Sequence, residues 1–234
     1  MDGIIAENVY GKYHVPGDLT HRPAVKRVLS GKVYEPETIA FMRAHAGDGD
    51  IIHAGTFFGD FLPGLSKNMA DGAKIWAFEP NPRSYQHARE TIKLNGIENV
   101  TLTHAAVSEA SGTVQLRTHS SAGEELGGRS HVRAGIGGDD GFVSVASVRL
   151  DEVVPKDRNI SILQLDVEGH ELSAVLGAGG IVNRCKPILI LEAFERKRWI
   201  RRQFGSLGYE LLGSVHGNHI YAVEGADVDL ELRA

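Results

Sequence analysis

Three carboxyl groups and an imidazole fall within the six residues Asp166-Val167-Glu168-Gly169-His170-Glu171. Groups of these types at this spacing suit proton transfer. An imidazole titrates near neutrality, and a nearby carboxylate can orient a substrate hydroxyl or hold a hard cation. His170, Glu168 and Asp166 are therefore the candidates for proton transfer. The structural alternative makes Glu168 the cap of a following helix and gives Gly169 a packing role. A second group, His53-Ala54-Gly55-Thr56-Phe57-Phe58-Gly59-Asp60, ends a β-branched run in a G-x-x-x-G turn. Its glycines let the backbone bend sharply and approach a ligand that a Cβ would block. Glu79 follows Gly59 by twenty residues and closes a second apolar run. An acid there can accept hydrogen bonds from both hydroxyls of a ribose. The glycine turn alone is a weak sign, because such turns also form without ligands; joined to Glu79 it indicates an adenosine site. An exposed loop acid is the competing reading of Glu79.

The cofactor class follows from what the turn lacks. A dinucleotide needs G-x-G-x-x-G so that its pyrophosphate can approach the middle glycine, and Phe57 stands at that position here. S-adenosylmethionine has no phosphates and needs only ribose recognition, an adenine slot and a seat for its methionine end. Ala105-Ala106-Val107-Ser108, closing a third apolar run, supplies small residues where adenine could lie.

The elements that must position these residues alternate between two periods. A helix is expected from Glu35 to about Ala46, with Pro36 in its first turn and Gly47 as its stop. Strands are expected at 50–54 and 74–78, with room for one helix between them. Beyond these come a helix at 83–94 closed by Asn95-Gly96, a strand at 100–107 and a shorter one at 112–116. Strands at 142–148 and 160–166, a helix at 168–176 and a very apolar strand at 187–191 follow. A final hairpin pairs 209–212 with 219–223, and His216, Asn218 and His219 in it are candidates for a pocket wall. This order predicts an α/β fold: a doubly wound, mostly parallel sheet with an antiparallel C-terminal hairpin, binding ligands at the carboxyl ends of its strands.

The sequence resembles the FkbM-type S-adenosylmethionine-dependent methyltransferases. The resemblance is carried by Ala77-Phe78-Glu79-Pro80-Asn81-Pro82, Leu94-Asn95-Gly96-Ile97-Glu98-Asn99-Val100, Ala105-Ala106-Val107-Ser108 with Gly112-Thr113-Val114, and Leu165-Asp166-Val167-Glu168-Gly169-His170-Glu171. Together these cover about residues 48–195. The resemblance implies the seven-stranded, Rossmann-like sheet of class I methyltransferases and transfer of a methyl group from S-adenosylmethionine to a hydroxyl of a sugar or other small molecule. It implies cofactor contacts at His53, Gly55, Thr56, Gly59, Asp60, Glu79, Pro80, Ala105, Ala106 and Asp166. One departure stands out: the family usually has an acid where this chain has His53. A neutral histidine can accept a hydrogen bond from the cofactor's amino end, whereas a protonated one opposes it. Mg²⁺ held by Asp166, Glu168 and Glu192 is a less favoured addition, and no His/Cys spacing suggests zinc. Two other functions fit less well: a non-catalytic domain that binds cofactor or partner, and a nucleotide-binding oxidoreductase.

Composition sets the outer bounds. With 42% hydrophobic and 24% charged residues, the 234-residue chain suits one globular domain, 1–234, with an arm at 1–34. A net charge of −5 argues against a nucleic-acid partner. No apolar stretch is long enough to span a membrane, the single cysteine allows no internal disulfide, and the start lacks a signal peptide's pattern, so a cytoplasmic location is expected. Homo-oligomerisation through the arm is left open. Of the 28 glycines, seven fall between 118 and 141, a segment expected to be a mobile lid.

Overall fold

The structure is a computed structural model that describes residues 2–120, 122–133, 141–192, 194 and 196–230. The arm opens with strands β1 (Gly3–Asn8) and β2 (Gly11–Pro16), which pair antiparallel, and continues into helix α1 (Pro23–Leu29). Helix α2 (Pro36–His45) leads to β3 (Asp50–Ala54), followed by α3 (Leu62–Ser66), β4 (Ile75–Phe78), α4 (Pro82–Leu94) and β5 (Val100–Thr103). Next come β6 (Ala106–Val107), β7 (Gly112–Arg117), β8 (His131–Arg133) and β9 (Phe142–Val148), then α5 (Leu150–Val153) and β10 (Ile160–Leu165). The chain ends with α6 (Glu171–Gly177), α7 (Gly179–Cys185), β11 (Ile188–Glu192), α8 (Lys197–Phe204) and the hairpin β12 (Tyr209–Val215) and β13 (Asn218–Val223).

Seven strands form the main sheet in the order β12-β13-β11-β10-β3-β4-β5. The run β11-β10-β3-β4-β5 is parallel, and β13 is antiparallel to both β11 and β12. The strand order reverses between β3 and β10, so the crevice at their carboxyl ends is the place for a ligand. Successive side chains on the central strands feed opposite cores. Ile52, Leu163 and Leu189 face a cluster with Val175 and Phe204, and Ile51, Ile162 and Ile190 face one with Phe41, Met42 and Leu65. Burial on both faces explains why these strands read as continuous apolar runs.

Several expected elements differ. The strand expected at 100–107 divides, because Ala105 N–H turns back onto the Thr103 carbonyl and the chain leaves the sheet. Its second half, β6, belongs to a separate four-stranded sheet, β6-β9-β7-β8, with the strands expected at 112–116 and 142–148. The helix after the glycine turn spans only Leu62–Ser66, so Gly55–Asp60 is an irregular loop and not a helix N-terminus. The helix expected from Glu168 begins at Glu171, because Glu168 and Gly169 both adopt positive φ, at 52° and 89°. Helix α8 is not foreseen by the sequence pattern. The arm lies on its own chain: Tyr13, Val25 and Val28 pack with Phe58 in a third core. Of the segment 118–141, residues 121 and 134–140 lie outside the described residues; the remainder carries β8 and a single 3-10 turn at Gly127–Arg129. No helix among the described residues is long and apolar enough to cross a membrane.

The tightest backbone approach in this frame is at Gly55. Its φ is 89°, and a Cβ there would lie 1.8 Å from the Asp166 carbonyl oxygen. Both the positive φ and the contact exclude a side chain, since neither partner is a movable side-chain tip. Gly55→Ala is expected to destabilise the protein by roughly 2–4 kcal/mol in chemical denaturation; a change within about 0.5 kcal/mol would show that the two strand ends are free to separate.

Candidate active site

The loop after β3 is tied to the end of β4. The N–H groups of Gly55 and Thr56 both donate to the Phe78 carbonyl, at 3.0 and 3.2 Å, and Thr56 Oγ1 donates to the same oxygen at 3.2 Å. Phe57 is held in the left-handed region at φ 50°. Such a conformation costs a residue with a Cβ about 1–2 kcal/mol, and here it turns the Phe57 N–H onto Glu79 Oε2 at 2.7 Å. The other oxygen of Glu79 accepts from Asn81 N–H at 2.8 Å. Glu79 is 4% exposed, so burial pushes its carboxyl up to about 8 despite both hydrogen bonds. The large side chains of the loop serve packing: Phe58 anchors the arm, and the Phe57 ring lies against Gly127 and Gly128.

Two cavities open along the strand ends. The narrower one is lined by Glu79, Pro80, Ala105, Ala106 and His170 and has a free volume of about 30 Å³. That holds a water molecule or two and is too small for an adenine ring. Leu116, Gly128, Ser130 and Val132, from the second sheet and the 3-10 turn, close over it. The wider cavity, about 390 Å³, is bordered by His53, Asp60, Asp166, Glu168 and Glu192, with Tyr34 from the arm. Gly55, Gly128 and Asp166 line both cavities.

The wider cavity concentrates acids whose charge is poorly supported. Donor atoms of Asp166, Glu168 and Glu192 all lie within 4.8 Å of one another, at the ends of β10 and β11. Burial and the neighbouring Glu192 carboxyl hold Asp166 well above the usual carboxylate range. Burial, with the Glu192 charge adding to it, pushes Glu168 up to about 7. Asp60 is also raised to about 7, chiefly by burial. A trio of carboxyls at this spacing also matches the donor set of a hard cation, as the sequence suggested.

His53 is neutral. It is 2% exposed, and burial lowers its pKa to about 4. Gln164 sits opposite it in the β3–β10 register, and Gln164 Oε1 bonds to His53 Nδ1. A carbonyl oxygen only accepts, so Nδ1 carries the proton and Nε2 offers a lone pair. Nε2 is buried and has no partner among the described residues. The Phe61 ring stacks on the imidazole at 5.2 Å and fixes its plane.

The structure separates the expected proton acceptors. Asp166 and Glu168 border the wide cavity, whereas His170 lines the narrow one and its Nε2 lies 3.1 Å from Ser108 Oγ. Glu168 is not a helix cap, and α6 has no side-chain cap; Glu171 instead braces the turn before the helix, with Oε1 accepting from Val167 and Gly169 N–H at 3.2 and 3.1 Å. Gly59 does not line either cavity. In the hairpin, Asn218 lies elsewhere, donating to Glu35 Oε2 at 3.0 Å, and neither His216 nor His219 borders the wide cavity. Sequence reasoning missed Gln164, Tyr34, Arg22 and Arg129, which border the wide cavity, and Asn81. Asn81 caps α4 through Oδ1, and its amide nitrogen donates to Ser130 Oγ at 2.9 Å and Glu125 Oε1 at 3.1 Å, joining the glycine-rich segment to the strand ends. The Asn-Pro pair was a readable capping signal, but its second function was not.

The sequence matches the methyltransferase FkbM domain over residues 44–219, more than half of the chain. The chain belongs to the FkbM methyltransferase family. The fold agrees: an FkbM methyltransferase from Methylobacillus flagellatus superposes with a TM-score of 0.52 over 75% of this chain at 16% identity. This chain spans only 43% of that protein's length. A methyltransferase from Geobacter sulfurreducens gives a TM-score of 0.48 at 13% identity, covering 87% of this chain and 86% of its own. A SAM-dependent methyltransferase from Aquifex aeolicus gives 0.46 at 14% identity, covering 86% and 93%. No curated protein matches the sequence.

The raised carboxyls of this FkbM domain make its stability depend on pH with a definite sign. Asp60, Glu79 and Glu168 bind a proton in the folded state up to about pH 7, 8 and 7, whereas unfolded they release it near 4. Their contribution is complete in acid and lost as pH rises through 7 to 8. His53 and His87, both lowered to about 4, have finished contributing by pH 7. The melting temperature is therefore expected to fall between pH 6.5 and 8.5, and Asp60→Asn should flatten that slope. A melting temperature that rises over this interval would contradict the assignment.

Proposed function

We propose that this FkbM domain is an S-adenosylmethionine-dependent O-methyltransferase that methylates a hydroxyl of a small molecule or sugar by in-line transfer. The observation that carries this reading is the pair of cavities meeting at Gly55, Gly128 and Asp166, one bordered by the buried Glu79 carboxyl and small residues, the other by a carboxyl cluster. The residues present fit the cofactor. Glu79 would take the ribose hydroxyls, with Pro80, Ala105 and Ala106 around the adenine and the loop Gly55-Thr56, supported by the turn at Gly59, under the methionine chain. The bare Nε2 of His53, a buried acceptor without a partner, answers the departure from the family's usual acid. Neutral, it accepts a hydrogen bond from the amino end, with the carboxyl oxygens of Asp60 and Asp166 as further acceptors beside it. When bound, S-adenosylmethionine supplies an electrophilic methyl group.

The protein's part is then to hold an acceptor oxygen in line and to receive its proton. Glu168 suits the role of proton acceptor, because it borders the wide cavity and a carboxyl near pH 7 is half ionised where it must work. Asp166 and Glu192, within 4.8 Å of it, would orient the hydroxyl. His170, paired with Ser108 on the narrow cavity, would position the cofactor and takes second place as base. Mg²⁺ is not required by these roles. The whole chain would act as one domain, with residues 1–34 forming a wall of the acceptor cavity and residues 118–141 a lid. The narrow slot supports the lid, because adenine needs more room than about 30 Å³ and Ser130 and Val132 of this segment help to line the slot.

Calorimetry tests the reading. S-adenosylhomocysteine should bind and NAD should not, with Glu79→Ala weakening the former by about 10- to 100-fold; no detectable binding to the intact protein would end the proposal. Given an acceptor, transfer should persist in EDTA, and Glu168→Gln should remove the acidic limb of the rate profile near pH 7. Activity lost in EDTA and restored by Mg²⁺ would reassign the carboxyl cluster to metal binding.

A further inference from the structure

The wide cavity has a second chemical face besides its acids. Arg22, the residue before α1, and Arg129, the last residue of the 3-10 turn, both border it. Among the described residues, neither guanidinium forms an ion pair within 4.0 Å. Both charges act on Glu168, favouring its ionised form, so they lie within electrostatic reach of the acids without contacting them. Arg22 is anchored at one end, where Nη2 donates to the Glu125 carbonyl at 3.3 Å. Its Nε is buried and has no hydrogen-bond partner among the described residues. A buried N–H normally finds an acceptor, and an arginine fork is matched in geometry to the paired oxygens of a carboxylate or phosphate.

We infer that Arg22 and Arg129 form an oxyanion clamp in the acceptor cavity, and that the acceptor carries a carboxylate or phosphate group in addition to its reacting hydroxyl. The inference rests on the methyltransferase reading for the word acceptor. A cavity with carboxyls at the strand ends and guanidinia on the arm and the turn is bipolar. It accepts a molecule whose hydroxyl meets Glu168 while its anionic group is held away from the acids. A neutral sugar leaves both guanidinia unpaired, and a cationic acceptor is repelled by them, so the clamp selects between substrate classes. It also joins the arm to the glycine-rich segment, because Arg22 bonds the backbone of that segment at Glu125 and Arg129 belongs to it. An anion bridging the two arginines would hold these walls together while the acceptor is in place.

One other anion competes for the same chemistry, the carboxylate of the cofactor's methionine end, and the experiment separates the two. Inorganic phosphate and glucuronate are titrated by calorimetry into the whole protein, with and without saturating S-adenosylhomocysteine. The S-adenosylhomocysteine-saturated protein should bind at least one of these anions, and Arg22→Gln and Arg129→Gln should each weaken that binding by about tenfold or more. Affinity for S-adenosylhomocysteine should change by less than about twofold in the same variants. Arg129 is exposed and Arg129→Lys keeps its charge, so Arg129→Lys should restore part of the binding and exclude a folding defect. The inference is overturned if neither anion binds the S-adenosylhomocysteine complex, or if both arginine variants bind as the intact protein does. It is also overturned if S-adenosylhomocysteine affinity falls about tenfold while that of 5′-methylthioadenosine, which lacks the carboxylate, is unchanged; the arginines then belong to the cofactor. If S-adenosylhomocysteine fails to bind the intact protein, the methyltransferase reading fails, and the titration without it still measures the clamp.

Discussion

The contact between Gly55 and the Asp166 carbonyl is the constraint on which the site depends. Strands β3 and β10 are neighbours at the point where the sheet reverses order, and Asp166 N–H donates to the Ala54 carbonyl at 3.0 Å just where both strands end. Without a Cβ at position 55 the two chains leave the sheet almost touching. The loop to Asp60 then turns to one side and the Glu168-Gly169 turn to the other, both through positive φ. Everything with chemical potential hangs from these two departures. Glu79 is aligned by the Phe57 N–H of the first, and Glu168 is set into the wide cavity by the second.

A site built this way is held against local preference. Phe57 and Glu168 occupy a backbone region that costs residues with a Cβ about 1–2 kcal/mol each. Among the described residues, no cation pairs with the buried carboxyls of Asp60, Glu79 and Asp166, and burial holds their protons on to higher pH than usual. Such strain and such buried, unpaired carboxyls persist only where the surrounding structure over-determines them. Here the two cores on either face of the sheet do so, and the Phe58 anchor adds the arm to the same rigid unit. A cofactor with a positive charge would relieve the carboxyls it meets, so binding and stability are coupled at this site.

How much of this could be read in the sequence depended on whether a signal was local. The parallel strands announced themselves as apolar runs, and Asn95-Gly96 marked the end of α4 because caps obey short-range rules. The FkbM methyltransferase family was legible from four short motifs. Glu79, Asp166 and Glu168 were identifiable because acids at strand ends break an apolar pattern. What stayed hidden was long-range. Nothing local says that 106–107 deserts the main sheet for a second one, or that Phe57 and Phe58 serve the arm and the turn. The pairing of His53 with Gln164 depends on register between strands 111 residues apart. Arg22 and Arg129 lie in segments of mixed composition, where side-chain position follows from tertiary packing and not from periodicity. His170 drew attention through its pKa class, yet the three-residue turn before α6 places it on the neighbouring cavity.

The most direct test of the central claim is a crystal structure of the protein with S-adenosylhomocysteine. The ribose is expected on Glu79, the adenine beside Ala105 and Ala106 in a slot widened at Ser130 and Val132, and the sulfur between Gly55 and Asp166, facing the cavity that holds Glu168. A ligand bound elsewhere, or one with its sulfur turned away from Glu168, would contradict it.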